Sequence, residues 1–218
     1  MTYLLTHLDK AWALTLIHLR LSLVPIVLGL LIAIPVGALV QRTTLPRRVI
    51  TVIASIIFTI PSLALFVALP LVIPTRILDE ANVLVALTLY TTALLVRAVP
   101  EALDAVPADV LDAATAVGYR PITRIVKIEL PLAIPVLIAS LRVVAVTNIS
   151  MVSVGSVIGI GGLGTWFTEG YQANKSGQIV AGIIAIFVLA VVIDTLILLA
   201  GKALTPWVQK DSAKAGAR

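Results

Sequence analysis

The chain has 218 residues, of which 60% are hydrophobic and 12% are charged. Soluble domains carry about 25% charged residues, so this chain has too few of them to cover a water-facing surface. The composition excludes a soluble globular enzyme and predicts an integral membrane protein.

Five segments with at most one charge are long enough to cross a membrane, which takes about 20 apolar residues. They cover residues 21–41, 49–75, 81–96, 132–152 and 178–201. The second contains Pro61, Pro70 and Pro74, and the third reaches residue 99 if Arg97 extends its charge to the interface. We therefore expect an all-α membrane protein with about five transmembrane helices.

The segments outside these spans have their own assignments. Residues 1–20 are expected to be an N-terminal interfacial segment with Trp12 at headgroup level, because they lack the basic start and the cleavage site of a signal peptide. Residues 21–201 form the transmembrane domain, and residues 202–218 are expected to be a cytoplasmic tail, disordered from 210 onward.

The distribution of basic residues predicts the orientation in the membrane. With the N-terminus outside, the loops 42–48, 97–131 and 202–218 lie inside and hold most of the Lys and Arg side chains. Inside lie Arg42, Arg47, Arg48, Arg97, Arg120, Arg124, Lys127, Lys202, Lys210, Lys214 and Arg218; outside lie Lys10, Arg20, Arg76 and Lys175. By the positive-inside rule the C-terminus is cytoplasmic. The formal charge of +5 therefore indicates cytoplasmic loops in a lipid bilayer, with no nucleic acid as a partner.

The chain offers little for catalysis or metal binding. It has no cysteine, and its two histidines, His7 and His18, have no partner cluster. We expect no metal and no catalytic residue. No phosphate-binding loop of the G-x-x-x-x-G-K-[ST] type is present, so we expect no ATP hydrolysis by this chain.

The cytoplasmic connection 100–131 predicts two short helices. Pro107 can open the first, with Asp109 in its first turn, and Gly118 stands where a left-handed residue ends a helix. Pro121 can open the second, and Pro131 marks the entry to the fourth span. Such a pair needs either the helix bundle or a cytoplasmic partner to cover its faces, and anionic lipid alone is the simpler alternative.

The spacing in this loop resembles a known motif. Asp112, Ala113 and Ala114, then Gly118, then Ile128, Leu130 and Pro131 are similar to the EAA loop of ABC importer permeases, with Asp112 in place of the usual Glu. The resemblance implies a type I ABC importer permease fold of the smaller, methionine-permease-like kind. It also implies that this loop couples the spans to a cytoplasmic ATPase.

Further stretches resemble one branch of that family, the glycine betaine, carnitine and choline permeases. They are Thr59-Ile60-Pro61-Ser62-Leu63-Ala64-Leu65, the run from Ile128 to Pro135, Leu141-Arg142, Asn148-Ile149 and Gly159-Ile160-Gly161-Gly162-Leu163-Gly164. The resemblance covers residues 20–200 and implies passage of a quaternary ammonium osmoprotectant. Methionine or another small polar solute remains the alternative, since the glycine-rich piece also occurs in methionine permeases.

The implied partners follow from the family. They are an ABC ATPase dimer that holds Mg-ATP, a second permease (identical or homologous), and an extracytoplasmic substrate-binding protein, all at a bacterial or archaeal cytoplasmic membrane. The chain itself is expected to carry no cofactor. With only 5% aromatic residues it is poorly equipped to bind a quaternary ammonium tightly, so the binding protein is expected to select the solute.

Polar residues within or beside the spans are candidates for the passage or its gate. They are Thr59, Pro61, Ser62, Arg142, Asn148, Ser150, Asp194, Gly161, Gly162 and Gly164. Arg142 and Asp194 can instead form a salt bridge between the fourth and fifth spans. Thr59, Pro61, Ser62, Asn148 and Ser150 can line the passage or break a helix, or can instead serve in packing and hydrogen bonding between helices. The dense glycines allow a re-entrant or tight turn at the outer mouth, with a plain flexible loop as the alternative.

Two functions of other classes compete with transport by an ABC importer. A membrane assembly protein without transport activity has no need for the spacing of the loop motif. A secondary transporter is also disfavoured, because the chain shows no internal inverted repeat.

Overall fold

The computed structural model describes residues 2–208, which form α-helices joined by short turns. In chain order the helices are α1 (Thr2–Thr6), α2 (Leu8–Val40), α3 (Thr44–Thr59), α4 (Ser62–Ala68), α5 (Glu80–Asp104), α6 (Ala108–Ala116), α7 (Pro121–Arg124), α8 (Leu130–Gly155), α9 (Thr165–Gln172) and α10 (Ser176–Leu204). Tighter 3₁₀ turns cover Leu69–Leu71, Ser156–Ile158 and Gly162–Gly164, and a wider π turn covers Ile125–Glu129. The predicted disordered tail from residue 210 lies outside the described residues.

Four helices in this range are long and apolar enough to cross a membrane, and a bent pair makes up to five crossings. The four are α2, α5, the helix Pro121–Ile158 and α10; the pair is Thr44–Thr59 with Ser62–Leu71. The prediction of an all-α membrane fold with about five spans is confirmed.

The N-terminal segment is continuous with the first span, which corrects the expected boundary at residue 20. Helix α2 runs through residues 20 and 21 without a break, and at about 1.5 Å per residue it is about 50 Å long. The helix can continue because its charged residues have partners on other elements. Lys10 pairs with Glu169 at 2.8 Å, and Arg20 pairs with Glu80 at the start of α5.

Helices α2 and α5 pack closely along a row of small residues. Gly29, Ala33 and Gly37 recur every four residues on one face of α2 and are all buried. A Cβ on Gly29 would lie 2.3 Å from Thr91 Cγ2, and one on Gly37 would lie 2.7 Å from the Val99 side chain. Small residues at this spacing let two helix backbones approach where lipid provides no hydrophobic drive for association.

The second crossing is broken at Pro61, one of the three prolines that interrupt the apolar segment 49–75. Its two helices meet at 92°. Ile60 has an extended backbone (ψ 128°), as the following Pro61 requires, so α3 ends at Thr59 and α4 begins at Ser62. The hydroxyl of Tyr90 on α5 donates to the Ile60 carbonyl at 2.6 Å and pairs a backbone oxygen that the break leaves free.

The fourth crossing begins earlier than its apolar segment. Helix α7, the π turn and α8 form one continuous helix, so Pro131 lies inside it and does not mark its entry. The π turn, in which the Leu130 N–H donates to the Ile125 carbonyl, inserts a wider turn just before a proline that has no N–H to donate. The third span likewise continues past Pro100 to Asp104, so the connection after it starts at residue 105, five residues later than expected.

The small-residue row predicts that a single methyl group disturbs the bundle. Replacing Gly29→Ala should lower the free energy of unfolding by about 1–3 kcal/mol, because the new Cβ meets buried Thr91. We expect a lower midpoint of thermal unfolding in detergent. The matched control is Gly177→Ala in α10, where a Cβ would meet no atom within 4 Å. Equal midpoints for both variants would contradict the close packing.

Candidate coupling surface and passage

The connection between α5 and the fourth crossing forms a compact helical hairpin. Helix α6 follows Pro107 with Asp109 in its first turn, and α7 begins at Pro121. Gly118 between them adopts a left-handed conformation (φ 96°), and its N–H donates to the Thr115 carbonyl at 3.0 Å. The predicted helix start, glycine turn and second helix start are confirmed.

The motif residues divide between an outer and an inner face of this hairpin. Asp112, Ala113 and Gly118 are exposed, whereas Ala114 is buried against the molecule. Two apolar side chains beside them are unusually open, Val117 at 80% and Ile122 at 78%. We call the exposed face of α6 with the turn up to Ile122 the coupling surface. A hairpin that faced only water would not need exposed apolar residues. The small, apolar residues of this surface therefore indicate close contact with another protein.

The remaining motif residues lie at the root of α8. Ile128, Leu130 and Pro131 are half-buried. Ile128 and Pro131 line a groove of about 330 Å³ together with Val110 of α6 and Trp207 after α10. These residues therefore join the hairpin to the base of the fourth crossing rather than extend the coupling surface.

The two charges within the spans pair with each other. Arg142 of α8 donates from Nε and an Nη atom to the two carboxylate oxygens of Asp194 of α10, both at 2.7 Å. The alternative of a salt bridge between the fourth and fifth spans is confirmed. The pair is not enclosed: its side chains are 35% and 28% exposed and line a groove of about 450 Å³ with Val143, Val146 and Thr147.

Three other candidates lie at the broken crossing. Thr59 and Pro61 are exposed and Ser62 is half-buried, and the hydroxyl of Thr59 donates to the Ile56 carbonyl at 2.7 Å. Helix α4, which follows the break, packs against α8. The outward-facing Ser150 is on α8, so it lies on a helix that neighbours the break.

Asn148 does not lie on such a surface, which corrects its assignment to the passage. It is 1% exposed, and its amide donates to Thr91 Oγ1 at 2.8 Å and to the Ser22 carbonyl at 3.3 Å. Its side chain therefore links α8 to α5 and α2 within the bundle.

The glycines after α8 are also buried and do not line an opening. A Cβ on Gly162 (φ 48°) would lie within 3 Å of the His18 backbone, and Cβ atoms on Gly161 and Gly164 would meet Ser156 and Ser153. These residues form a tight turn, as their density in the sequence predicts, and not a plain flexible loop; the turn lets the chain pass against α2 and α8.

The sequence reasoning missed one buried carboxylate. Glu129 is 0% exposed and accepts hydrogen bonds from Arg42 and Arg124. The sequence contained one indication of this role: Glu129 is the single acidic residue in the apolar run from Ile128 to Pro135, and it stands five residues after Arg124. Among residues 2–208, no group of three or more His, Asp or Glu side chains is arranged to hold a metal ion.

The coupling hairpin, the broken crossing and the five apolar crossings agree with one family model. The sequence matches the binding-protein-dependent transport system inner membrane component over residues 25–210. The chain belongs to this family.

Relatives and solved structures agree with the assignment. The choline transport system permease protein OpuBB of Bacillus subtilis is 32% identical over 189 residues, which cover 87% of this chain and 86% of the relative. The osmoprotectant import permease protein OsmW of Salmonella typhimurium is 32% identical over 94% of this chain and 96% of its own length. An inward facing structure of the MetNI methionine ABC transporter matches with a TM-score of 0.71 and 29% identity, covering 90% of this chain and 96% of that one. The chain is therefore a non-catalytic permease subunit of an ABC importer with a type I fold.

The left-handed turn at Gly118 predicts a graded response to substitution. Gly118→Val should reduce binding of the ATPase subunit about tenfold, because a β-branched residue at φ 96° costs roughly 1–2 kcal/mol and shifts the hairpin. Gly118→Asn should bind nearly as well as the parent, because Asn tolerates left-handed backbone and no atom lies within 4 Å of a Cβ there. Co-purification of the two subunits measures the effect. Equal loss with Val and Asn would contradict a conformational role.

Proposed function

We propose that this permease forms the membrane passage for a quaternary ammonium osmoprotectant such as glycine betaine, choline or carnitine. Support comes from two relatives, the choline transport permease OpuBB and the osmoprotectant import permease OsmW, each matched over most of both chains. The methionine transporter is similar in fold at 29% identity, so it supports the architecture and leaves methionine as the alternative solute.

The ATPase is proposed to dock on the coupling surface. The exposed Ala113, Val117 and Ile122 permit close apolar contact, and the left-handed Gly118 orients α6. Because the ATPase with its Mg-ATP is cytoplasmic, this end of the molecule is the cytoplasmic end, with the N-terminus of the chain outside. The basic residues Arg42, Arg47 and Arg120 at the same end agree with the positive-inside rule. The substrate-binding protein then approaches the opposite end.

A second permease, identical or homologous, is proposed to cover one face of α8. The outward residues of this helix alternate at spacings of four and three, the 3.5-residue period of helices that pack side by side. They are Leu132, Val136, Ala139, Val143, Val146 and Ser150. We call this set the α8 stripe. A partner helix along it would place the Arg142–Asp194 pair beside the interface between the two permeases.

The passage is proposed to run beside the broken crossing, between Thr59 and the end of the α8 stripe at Ser150, where the partner helix leaves the stripe uncovered. Irregular backbone at membrane depth is tolerated only where protein covers it or water reaches it, and Thr59, Ile60 and Pro61 are exposed. An ion pair at this depth likewise needs protein or water beside it. Arg142 and Asp194 face a groove that can hold water. The few aromatic residues suit weak, transient contact with a quaternary ammonium, while the binding protein provides selection.

Transport then follows from differential binding. ATP binding draws the two ATPase subunits together, the coupling surfaces follow them, and the permease pair changes from inward-open to outward-open. The loaded binding protein favours the state to which it binds best, so it shifts the equilibrium by its difference in affinity between the two states.

Substrate identity is tested by stimulation of ATP hydrolysis. The permease, its ATPase and the binding protein encoded beside it are purified and combined in lipid nanodiscs. We expect stimulation when the binding protein is loaded with glycine betaine, choline or carnitine, because only a liganded binding protein favours the outward-open state. Stimulation by methionine alone would retain the fold and mechanism but overturn the proposed solute.

The route of the passage is tested by cysteine labelling, since the chain contains no cysteine. Single variants Thr59→Cys and Ser150→Cys should react with a charged, water-soluble methanethiosulfonate about tenfold faster than Leu196→Cys, because a thiol that faces hydrocarbon stays protonated. Leu196 is the matched control, since it is 55% exposed and lies on the side of α10 opposite to Asp194, two residues further along the helix. Equal labelling rates at all three positions would contradict the route.

A further inference from the structure

Glu129 connects three parts of the cytoplasmic end through one buried carboxylate. Its Oε1 accepts a hydrogen bond from an Nη atom of Arg42 at 2.8 Å and from Nε of Arg124 at 2.9 Å. Arg42 lies in the corner between α2 and α3, and Glu129 is the last residue of the π turn below α8. The carboxylate thus ties the base of the fourth crossing to the corner between the first two.

The same network reaches the coupling surface. Arg124 also donates from an Nη atom to Thr115 Oγ1 at 2.5 Å, and Thr115 is on α6. The Arg124 side chain is only 11% exposed and Glu129 is fully buried. The ion pair between them is therefore shielded from water better than the pairs Arg42–Glu129 and Arg47–Asp104 at the same end. Thr115, Arg124 and Glu129 therefore form one hydrogen-bonded connection from α6 to the base of α8, and Arg42 extends it to the corner between α2 and α3.

The carboxylate retains one unused acceptor. Both guanidinium groups share Oε1, while Oε2 is buried and accepts no hydrogen bond from any residue between 2 and 208. A guanidinium that moves from Oε1 to Oε2 keeps its ion pair. The connection can therefore tolerate a change of angle between α6 and α8 without leaving an unpaired buried charge, which would be costly.

The π turn adds a place where such a change can occur. Residues Ile125–Glu129 form a wider turn than an α-helix, and π turns inside helices are frequent at functional sites. Glu129 ends this turn, so its two arginines hold the segment at which the hairpin continues into the crossing.

We propose that Glu129 is a positioning residue that transmits motion of the coupling helix α6 to α8 and to the α2–α3 corner. The proposal rests on the proposed docking of the ATPase at the coupling surface. Without the carboxylate, α6 still docks, but its displacement reaches the crossings only through weaker contacts. ATP hydrolysis then continues while solute uptake falls.

The test uses the full complex of permease, ATPase and binding protein in proteoliposomes. Uptake of glycine betaine and hydrolysis of ATP are measured in the same preparation. The isosteric variant Glu129→Gln should lower the uptake per ATP hydrolysed about tenfold, with the ATPase still bound. The double variant with Arg124→Gln should lower the ratio no further, because both changes interrupt one connection. Additive losses, or an unchanged ratio in Glu129→Gln, would overturn the proposal.

A second variant covers the case in which Glu129→Gln does not assemble. Thr115→Val keeps the shape of an exposed side chain and removes only the hydroxyl, which accepts from Arg124 and donates to the Leu111 carbonyl within α6. It should lower the uptake per ATP about threefold, a smaller loss because the buried ion pairs remain. An unchanged ratio in this variant would also count against the connection.

The matched control is an ion pair at the same end that does not touch the hairpin. Asp104 at the end of α5 pairs with Arg47 at 2.6 Å and accepts from Gln41 at 3.1 Å. Asp104→Asn should leave uptake per ATP unchanged. If the parent complex shows no stimulation by its binding protein, the proposed function itself fails. If the parent is coupled and Glu129→Gln is equally coupled, only the role of Glu129 is refuted.

Discussion

The close approach of α2 and α5 is the constraint on which the other helices depend. In lipid there is no hydrophobic driving force that brings two apolar helices together, so close packing must stabilise their association. Gly29, Ala33 and Gly37 make this close packing possible, because they leave one face of α2 almost without side chains. Because α5 also packs against α3 and α8, its position against α2 determines where the broken crossing and the α8 stripe lie.

Polar groups at membrane depth fall into two classes that differ in their surroundings. Asn148 and the Ile60 carbonyl are paired with other helices inside the bundle, where their hydrogen bonds hold α2, α5 and α8 and the broken crossing together. The Arg142–Asp194 pair and Thr59 face outward instead. An outward polar group is stable in a membrane only beside water or protein, so the second class marks the face that a partner and a passage would occupy.

The ion pairs of the two ends differ in the same way. Lys10 with Glu169 and Arg20 with Glu80 link α2 to α9 and to α5 at exposed positions, where each pair contributes at most about 1 kcal/mol. Glu129 is enclosed and joins the hairpin, the fourth crossing and the α2–α3 corner. Because Glu129 is shielded from water, separating it from its arginines would leave a buried charge unpaired at a high cost. The carboxylate and the arginines are therefore expected to stay together when the hairpin moves.

The sequence by itself determined the class of fold, the approximate spans and the coupling hairpin. Those depend on local properties, namely apolar segments long enough for a membrane, Pro107 and Pro121 at helix starts, and Gly118 at a left-handed turn. It did not determine the 92° bend at the break and its pairing with Tyr90, the burial of Asn148 and Gly162, or the network at Glu129. Each of these depends on which helices lie side by side: Tyr90 stands 30 residues from the carbonyl it pairs, and Arg42 stands 87 residues from Glu129. Side chains so far apart in the chain meet only after the bundle has formed, because packing of several helices, not local preference, decides which polar groups are enclosed and which remain open to a passage.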